Sequence, residues 1–377
     1  MIACPRWERQ MPEAAFIVQL DDFHGFLVKK RHPSSLALTE TMLNLVYFEH
    51  QQGKEEEIRD SEIEGMRIAS FAMEAFPGWT VCYVLNEDDV LEEISQDLKG
   101  MGRFMLELMD ADPESLDIEE VLAKRSSMPV FDDEQKAAAI YMTPSSALLL
   151  ERLHTEGVES TAKLSMWLKN QIQSDNVDLR EAIAPLMDSG IVVVEIVGKL
   201  ETAFLLKDVF PHRSPPAKSF GATGVAHPNL MLRYQEYLKN FFSPDPPAKG
   251  YNPTLPVTDP NSPILEDREK IARIIANSIN YAVLDCLRNG PLRLGQIASE
   301  ISFPDGVVQR ALWAMEAERI VANFEEEGVW ALITNPKMEI FMPEYILPIV
   351  AARIEEKKIS SDTARRYLEL LVQTWSE

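Results

Sequence analysis

Apolar side chains recur at helical spacing through 279–333, and the stretch reads as helix, extended turn, helix, tight turn, helix, hairpin. Ile279, Val283, Leu284 and Leu287 give the first stripe. Asn289-Gly290-Pro291 ends it, since Gly suits the position after a helix and Pro cannot extend one. Leu294, Ile297, Ala298 and Ile301 mark a shorter helix, and Ser302 to Gly306 a turn. Val307, Val308, Ala311, Leu312 and Met315 form the inward side of a third helix. Two β-rich runs, 320–324 and 329–333, flank the turn Glu325-Glu326-Glu327-Gly328 and predict a hairpin.

The same order is written into 140–210. Thr143 caps a helix with Pro144 at its first position, Leu148, Leu149 and Leu153 form its stripe, and Gly157 closes it. Val158 to Thr161 is a short extended turn. Leu164, Trp167, Leu168 and Ile172 predict a second helix, and Leu179, Ile183, Leu186 and Met187 a third, closed by Ser189-Gly190. Residues 191–197 and 201–209 then flank the turn Gly198-Lys199 as a hairpin.

Strand patterning dominates the N-terminal third. Ala14 to Val28 is a hairpin around Asp21-Asp22-Phe23-His24-Gly25. Ser34 or Ser35 caps a helix through His50, with Leu36, Met42, Leu43, Val46 and Tyr47 as its stripe. Gln51 to Glu64 reads mostly as charged loop, Gly65 to Met73 as a strand, and Trp79 to Leu85 as a nearly continuous apolar strand central in its sheet. Asn86 to Asp89 caps a helix carrying Val90, Ile94, Leu98, Met101, Phe104, Met105 and Leu108, and Leu116 to Leu122 adds a short one. The order is β-β-α-β-β-α, with room for an extra strand before Met73. Ser126 to Ala139 is a polar connector.

Eleven of the 24 prolines fall in 211–265, which reads as a semi-rigid linker with one helix, Asn229 to Phe242. Such an apolar helix docks on its own protein or, in the sharper reading, on a partner. Met342 to Lys357 and Ser360 to Trp375 are two C-terminal helices. The second carries the stripe Ala364, Tyr367, Leu368, Leu371 and Trp375, and the pair packs on the preceding hairpin domain or forms a dimer seam.

Charge changes the picture. The formal net charge is −23, and residues 1–135 alone hold 12 basic and 29 acidic residues. No segment has the basic footprint of a nucleic-acid-binding domain. The balance favours partners with basic faces and opposes unaided docking on anionic lipid. Cys4, Cys82 and Cys286 are scattered, with no CxxC and no Cys/His cluster, which fits a reducing cytoplasm. No apolar run reaches eighteen residues, and the N-terminus lacks a signal-peptide core. Residues 1–10 read as a disordered leader or an over-extended start.

Helix, turn, helix, helix and hairpin resembles a winged helix at 279–333 and again at 140–210. A winged helix that reads DNA needs Lys or Arg on its third helix and its wing. Here Arg310 and Arg319 face Asp305, Glu316 and Glu318, and the wing tip is Glu325-Glu326-Glu327. At 140–210 Arg180 stands against Asp175, Asp178, Glu181 and Asp188. Both are therefore read as protein-binding winged helices. AAFIVQLDDFHGFLVKKRHP, MRIASFAME and GWTVCYVLNEDD with its following helix resemble the longin/roadblock-like, profilin-type modules. That resemblance implies a platform for small GTPases or trafficking complexes, often dimeric through the first helix or a sheet edge. A PAS- or GAF-type sensor is the competing reading and requires a ligand pocket.

The expected fold is thus α+β: a longin/roadblock-like α/β sandwich at 12–125, a winged helix at 140–210, the Pro-rich linker at 211–265, and a second winged helix with C-terminal helices at 266–377. Candidate partner contacts are Lys29, Lys30 and Arg31, the one basic cluster of the acidic domain; Arg310 and Trp313 on the third helix; and Tyr234, Tyr237 and Phe241 on the linker helix. Trp167 and Trp313 read as core or interface anchors. Asp21-Asp22, Glu87-Asp88-Asp89 and Asp132-Asp133 lack metal-loop spacing and belong to turns and caps. His24 is a turn residue and His154 a helix-end residue. Gly221-Ala222-Thr223-Gly224 lacks the P-loop Lys and a preceding strand. No catalytic residue, metal or cofactor is expected. The chain reads as a non-enzymatic cytoplasmic scaffold with protein partners, a small GTPase or a second copy among them. The alternative is a winged-helix transcription regulator with an acidic sensor domain.

Overall fold

The computed structural model describes residues 12–21, 23–51, 58–73, 76–86, 89–123, 132–174, 177–245, 248–256, 258–301 and 303–376. Its architecture is mixed α+β, an antiparallel sheet followed by many helices. It divides into two compact units, residues 1–131 with 303–310, and 132–302 with 311–377.

The first unit runs β1 (Ala14–Asp21), β2 (Gly25–His32), α1 (Glu40–Gln51), β3 (Arg59–Ile63), β4 (Met66–Ala72), β5 (Trp79–Leu85), α2 (Leu91–Ala111) and α3 (Ile118–Ala123). The turn after β1 forms because the Asp21 carboxylate accepts the Phe23 and His24 N–H groups at 2.9 and 2.8 Å. All strands are antiparallel, in the order β2-β1-β5-β4-β3, so the apolar strand Trp79–Leu85 is central as its pattern predicts. Alternation sends Phe16, Val18, Ile68 and Cys82 to one face, against Met42, Leu43 and Val46 of α1. On the opposite face Phe71 and Tyr83 meet α2, and the Tyr83 hydroxyl donates to the Leu98 carbonyl at 2.9 Å. Gly102 permits that approach, since a Cβ there would lie 2.6 Å from Cδ1 of the fully buried Phe71. Gly102→Ala is expected to lower stability by about 1–3 kcal/mol through overpacking, read as a denaturant midpoint shift.

Three expectations for this unit are corrected. The first helix begins at Glu40, not after Ser34 or Ser35, because Thr39 Oγ1 accepts the Met42 N–H at 3.2 Å. Leu36 and Leu38 reach the core from extended chain instead. The region read as loop up to Glu64 contains β3, whose single buried position, Ile63, gives little apolar signal. Asp89 does not cap α2: its carboxylate accepts the Asn86 N–H at 2.6 Å, and Val90 stands at the N-cap. Asp22, Glu87, Asp88, Asp175 and residues 1–10 lie outside the described residues, as do 126–131 of the expected connector.

The second unit is built from one order used twice. The first use is α4 (Asp133–Met142), α5 (Pro144–Glu156), β6 (Val158–Ser160), α6 (Thr161–Ile172), α7 (Leu179–Asp188), β7 (Val192–Val197), β8 (Leu200–Leu205) and β9 (Asp208–Ser214), then α8 (Ala217–Ala226) and α9 (Met231–Phe242). The second is α10 (Ile264–Ala276), α11 (Ser278–Asn289), the bridging residue Leu292, α12 (Leu294–Ile301), α13 (Asp305–Ala317, whose residues up to Arg310 are counted with the first unit), β10 (Val321–Phe324), β11 (Val329–Leu332) and β12 (Asn335–Phe341), then α14 (Ile346–Glu355) and α15 (Ser361–Ser376). Backbone bonds repeat too. The Ile191 carbonyl accepts from Leu206 and Lys207 at 2.8 and 3.3 Å, and Ile320 from Ile333 and Thr334 at 2.8 and 3.2 Å.

The repeats meet like with like. β9 pairs antiparallel with β12, Pro211 opposite Met338, and α4 lies against α10. That is the self-complementary geometry of a two-fold dimer inside one chain.

Several sequence readings change here. The expected connector contains α4, whose capping box joins Asp132 and Gln135. β9 and β12 went unread because Pro211 and Pro336 interrupt them; a two-stranded ribbon is all edge, where Pro is tolerated. Residues 211–265 carry α8 as well as α9, with Gly221 and Gly224 inside α8. The first C-terminal helix starts at Ile346, with Tyr345 at its N-cap, and not at Met342. In α15 Leu370, not Leu368, joins the buried stripe, and Leu368 is exposed.

Candidate functional site

Each repeat is completed by the other repeat's helices. Tyr234 of α9 is fully buried in a cluster with Phe324, Val329, Ala331 and Ile333 of the second repeat, and its hydroxyl donates to the Leu332 carbonyl. Tyr367 of α15 is fully buried beside Phe204 of the first repeat, and its hydroxyl donates to the Leu205 and Gly157 carbonyls at 2.6 and 2.9 Å. Arg233 reaches Glu326 at 2.7 Å and Glu327 at 3.2 Å, while Arg366 holds Glu195 at 2.6 and 2.8 Å. Trp375 donates to the Leu206 carbonyl at 3.0 Å. The C-terminal helices therefore pack on the first repeat, not on the hairpin domain that precedes them. The signal for this exchange stands in the sequence: Arg233-Tyr234-x-Glu236-x-Leu238 recurs as Arg366-Tyr367-x-Glu369-x-Leu371. Periodicity reading passes over it because it spans two turns of a helix.

Reciprocal ion pairs join the repeats. Glu134 of α4 binds Arg288 of α11 at 2.8 and 2.9 Å, accepts the Met338 N–H at 3.2 Å and takes the Tyr281 hydroxyl at 3.0 Å. Burial is the largest single influence on Arg288 and works against its charge, but the Glu134 hydrogen bonds, the Glu134 charge and Tyr281 together outweigh it and its pKa rises. Burial, then Asp132, holds Tyr281 far above the phenol range. From the second repeat, Asp267 of α10 binds Arg213 of β9 at 2.9 Å, both almost fully buried. Arg213 also donates to the Glu318 carbonyl at 2.6 Å, and its N–H to Tyr251 at 2.9 Å.

His154 does more than end a helix. Its Nε2 lies 2.8 Å from the Asp208 carboxylate, which also takes the Tyr345 hydroxyl at 2.8 Å and the Val209 N–H at 2.7 Å. In the second repeat the matching contact is Arg288 to Asn335 at 3.1 Å. Through these contacts the His154 cluster ties the end of α5 to the start of β9.

The residues singled out in the sequence separate into groups. Lys29, Lys30 and Arg31 lie on the sheet edge β2, with Lys29 in a bulge between the Ile17–Lys30 and Val18–Val28 pairs. Lys29 and Arg31 are exposed, and the Arg31 guanidinium donates to the Leu36 carbonyl at 3.1 Å. A bulge and basic side chains on an edge also discourage strand addition. Tyr234 and Phe241 are buried within their own chain, so α9 docks on its own protein; Tyr237 packs edge-on to Phe324 while staying 41 % exposed. Arg310 and Trp313 share α13 and are both exposed, Trp313 by 58 %. Trp167 stacks under Arg152 at 5.5 Å.

A shallow groove of about 500 Å³ lies between α6 and the start of α7, lined by Thr161, Ser165, Lys169, Asp178, Arg180 and Glu201. Its charges are mixed, and Thr161 already donates to Glu201 at 2.8 Å. Among the described residues no group of three or more His, Cys, Asp or Glu is placed to hold a metal, and no helix is long and apolar enough to cross a membrane. Burial pushes the Cys286 thiol up to about 12 and raises Cys82 as well. Neither is expected to react with a thiol reagent at pH 8 until the chain unfolds, as counting modified cysteines with and without denaturant would show. The chain matches no protein-family model, no curated protein and no solved structure.

The Arg366 hydrogen bonds hold the Glu195 carboxyl below the ordinary range. A depressed carboxylate stabilises above its unfolded pKa of about 4.3 and loses that contribution as pH falls through the folded value. The urea midpoint is therefore expected to drop between pH 5 and pH 3, and to drop less in Glu195→Gln. An equal drop in both chains would separate this pair from the acid response.

Proposed function

We propose that the chain is a non-catalytic protein-interaction scaffold. Its first unit acts as a longin/roadblock-like platform for a small GTPase or an assembly complex, and its second as two fused winged helices turned to protein contacts. The observation that carries the reading is topological. The first unit has sheet order β2-β1-β5-β4-β3, with α1 on one face and α2 on the other. That is a hairpin, a helix, a three-stranded meander and trailing helices, the pattern of those modules.

Charge supports the second half. The exposed side of α7 carries Glu181 and Asp188 beside Arg180, and that of α13 carries Asp305 and Glu316 beside Arg310. The hairpin tip Glu325-Glu326-Glu327 would meet phosphate with carboxylates, and Arg233 beside it is already bound to Glu326 and Glu327. The helix order alone favours a DNA-binding regulator; its charges do not.

The test is capture from native extract with the full chain as bait, with and without nuclease, read by mass spectrometry. A small GTPase recovered in both arms, and lost when Lys29 and Arg31 are changed to Glu, is the expected result. Recovery of nuclease-sensitive DNA with transcription proteins, and no GTPase, would sink the reading.

A further inference from the structure

We propose that α15 is an exchangeable helix, and that a second copy of this chain is its partner: the α15 of each molecule seats on the first repeat of the other. The surface that receives it is well defined. It consists of the Leu205 and Gly157 carbonyls for the Tyr367 hydroxyl, the Phe204 ring, the Leu206 carbonyl for Trp375, and the Glu195 carboxylate for Arg366. It takes the Arg366, Tyr367 and Trp375 side chains of α15. The fold already places such helices on a neighbouring repeat, since α9 crosses to the second repeat and α15 to the first. Passing α15 to another molecule repeats the same crossing between chains, and it restores each of these contacts without creating a new interface.

The hinge distinguishes α15 from α9. Glu356 to Ser360 is a short, mostly exposed connection from α14, and it turns at Lys357 with φ +55°, a left-handed conformation that a lysine adopts only against strain. Short strained hinges favour exchange, because straightening them releases the strain. α14 stays behind, held by buried Ile346 and Val350 and by the Arg353–Glu156 ion pair. α9 has no such freedom. The chain leaving it is fastened at once: the Lys249 N–H donates to the Asn240 carbonyl at 2.9 Å, and the Tyr251 ring packs on Phe241 and Phe242.

The test uses two full-length variants with opposite charge reversals, Glu195→Arg and Arg366→Glu. Both side chains are about one-third exposed, so each variant keeps its fold, to be checked by circular dichroism. Alone, each opposes two like charges across the α15 seat. In the mixture, exchange brings the introduced arginine of one chain against the introduced glutamate of the other and leaves the native pair at the second seat. We expect the mixture, concentrated and then sized by light scattering, to give a species of two chains containing both variants, at least tenfold more abundant than in either variant alone. The same design at α9, Arg233→Glu mixed with a Glu326→Arg and Glu327→Arg double variant, is expected to give none. A mixture that stays at one chain, or equal association in the α9 pair, would overturn the proposal.

Discussion

Asp267→Ala is expected to remove about 3–5 kcal/mol of stability, the cost of leaving a buried cation without its partner. The Arg213 and Asp267 side chains are 3 % and 5 % exposed, so neither can recover water when the other is lost. Arg213 would keep the Glu318 carbonyl, a neutral acceptor that cannot balance its charge. The pair joins β9 of one repeat to α10 of the other, and the loss should reach both repeats in one transition. Denaturant unfolding followed by far-ultraviolet circular dichroism reads the midpoint. The double variant Arg213→Met with Asp267→Leu should recover more than half of the loss, since an apolar pair of similar volume often replaces a buried ion pair at little cost. Failure of that recovery would mean that the charges themselves, and not the space they fill, hold the repeats together.

Tyr234→Ala is expected to cost about 3–5 kcal/mol, as for other fully buried aromatic side chains. The ring fills the cluster between α9 and the β10–β11 hairpin, with Phe220 edge-on at 5.3 Å and Phe324 at 5.7 Å. Tyr234→Phe keeps that volume and leaves the Leu332 carbonyl without its donor, for about 1–3 kcal/mol. Burial raises the hydroxyl pKa to about 12, so it donates throughout the physiological range. The order Ala well below Phe, and Phe below Tyr, is the expected ranking of urea midpoints. Equal midpoints for Tyr and Ala would show that α9 does not seal the second repeat.

Much of this fold was legible because apolar periodicity reports burial of a local face. The strand Trp79–Leu85 sits at the sheet centre because its inward and outward residues are both covered, and that is what a continuous apolar run encodes. Helices α11 and α12 follow the spacing of Ile279, Val283, Leu284 and Leu287, and of Ile297 and Ala298. What stayed hidden is non-local. β3 has one buried residue, α4 leads with Asp, Glu, Gln and Lys, and β9 and β12 contain prolines, so each lacks a pattern of its own. They exist because a partner segment far along the chain completes them: Pro336 pairs with Arg213, and Glu134 meets Arg288. Of the residues put forward for partner contact, the exposed ones could be named from charge and type. The sequence had no means of showing that Tyr234 would be enclosed by a hairpin some ninety residues later; the recurrence of Arg-Tyr-x-Glu-x-Leu was the one available hint.

Hydrogen exchange of the full chain, followed by peptide mass spectrometry, tests most directly whether 132–377 is one body made of two interlocked repeats. Amides of α4, α10, β9 and β12 should exchange together at a common slow rate, and Asp267→Ala should accelerate all four by a similar factor. If α4 and β9 exchanged at one rate and α10 and β12 at another, with Asp267→Ala affecting only the latter, the repeats would be independent domains and the interlocked account would fail.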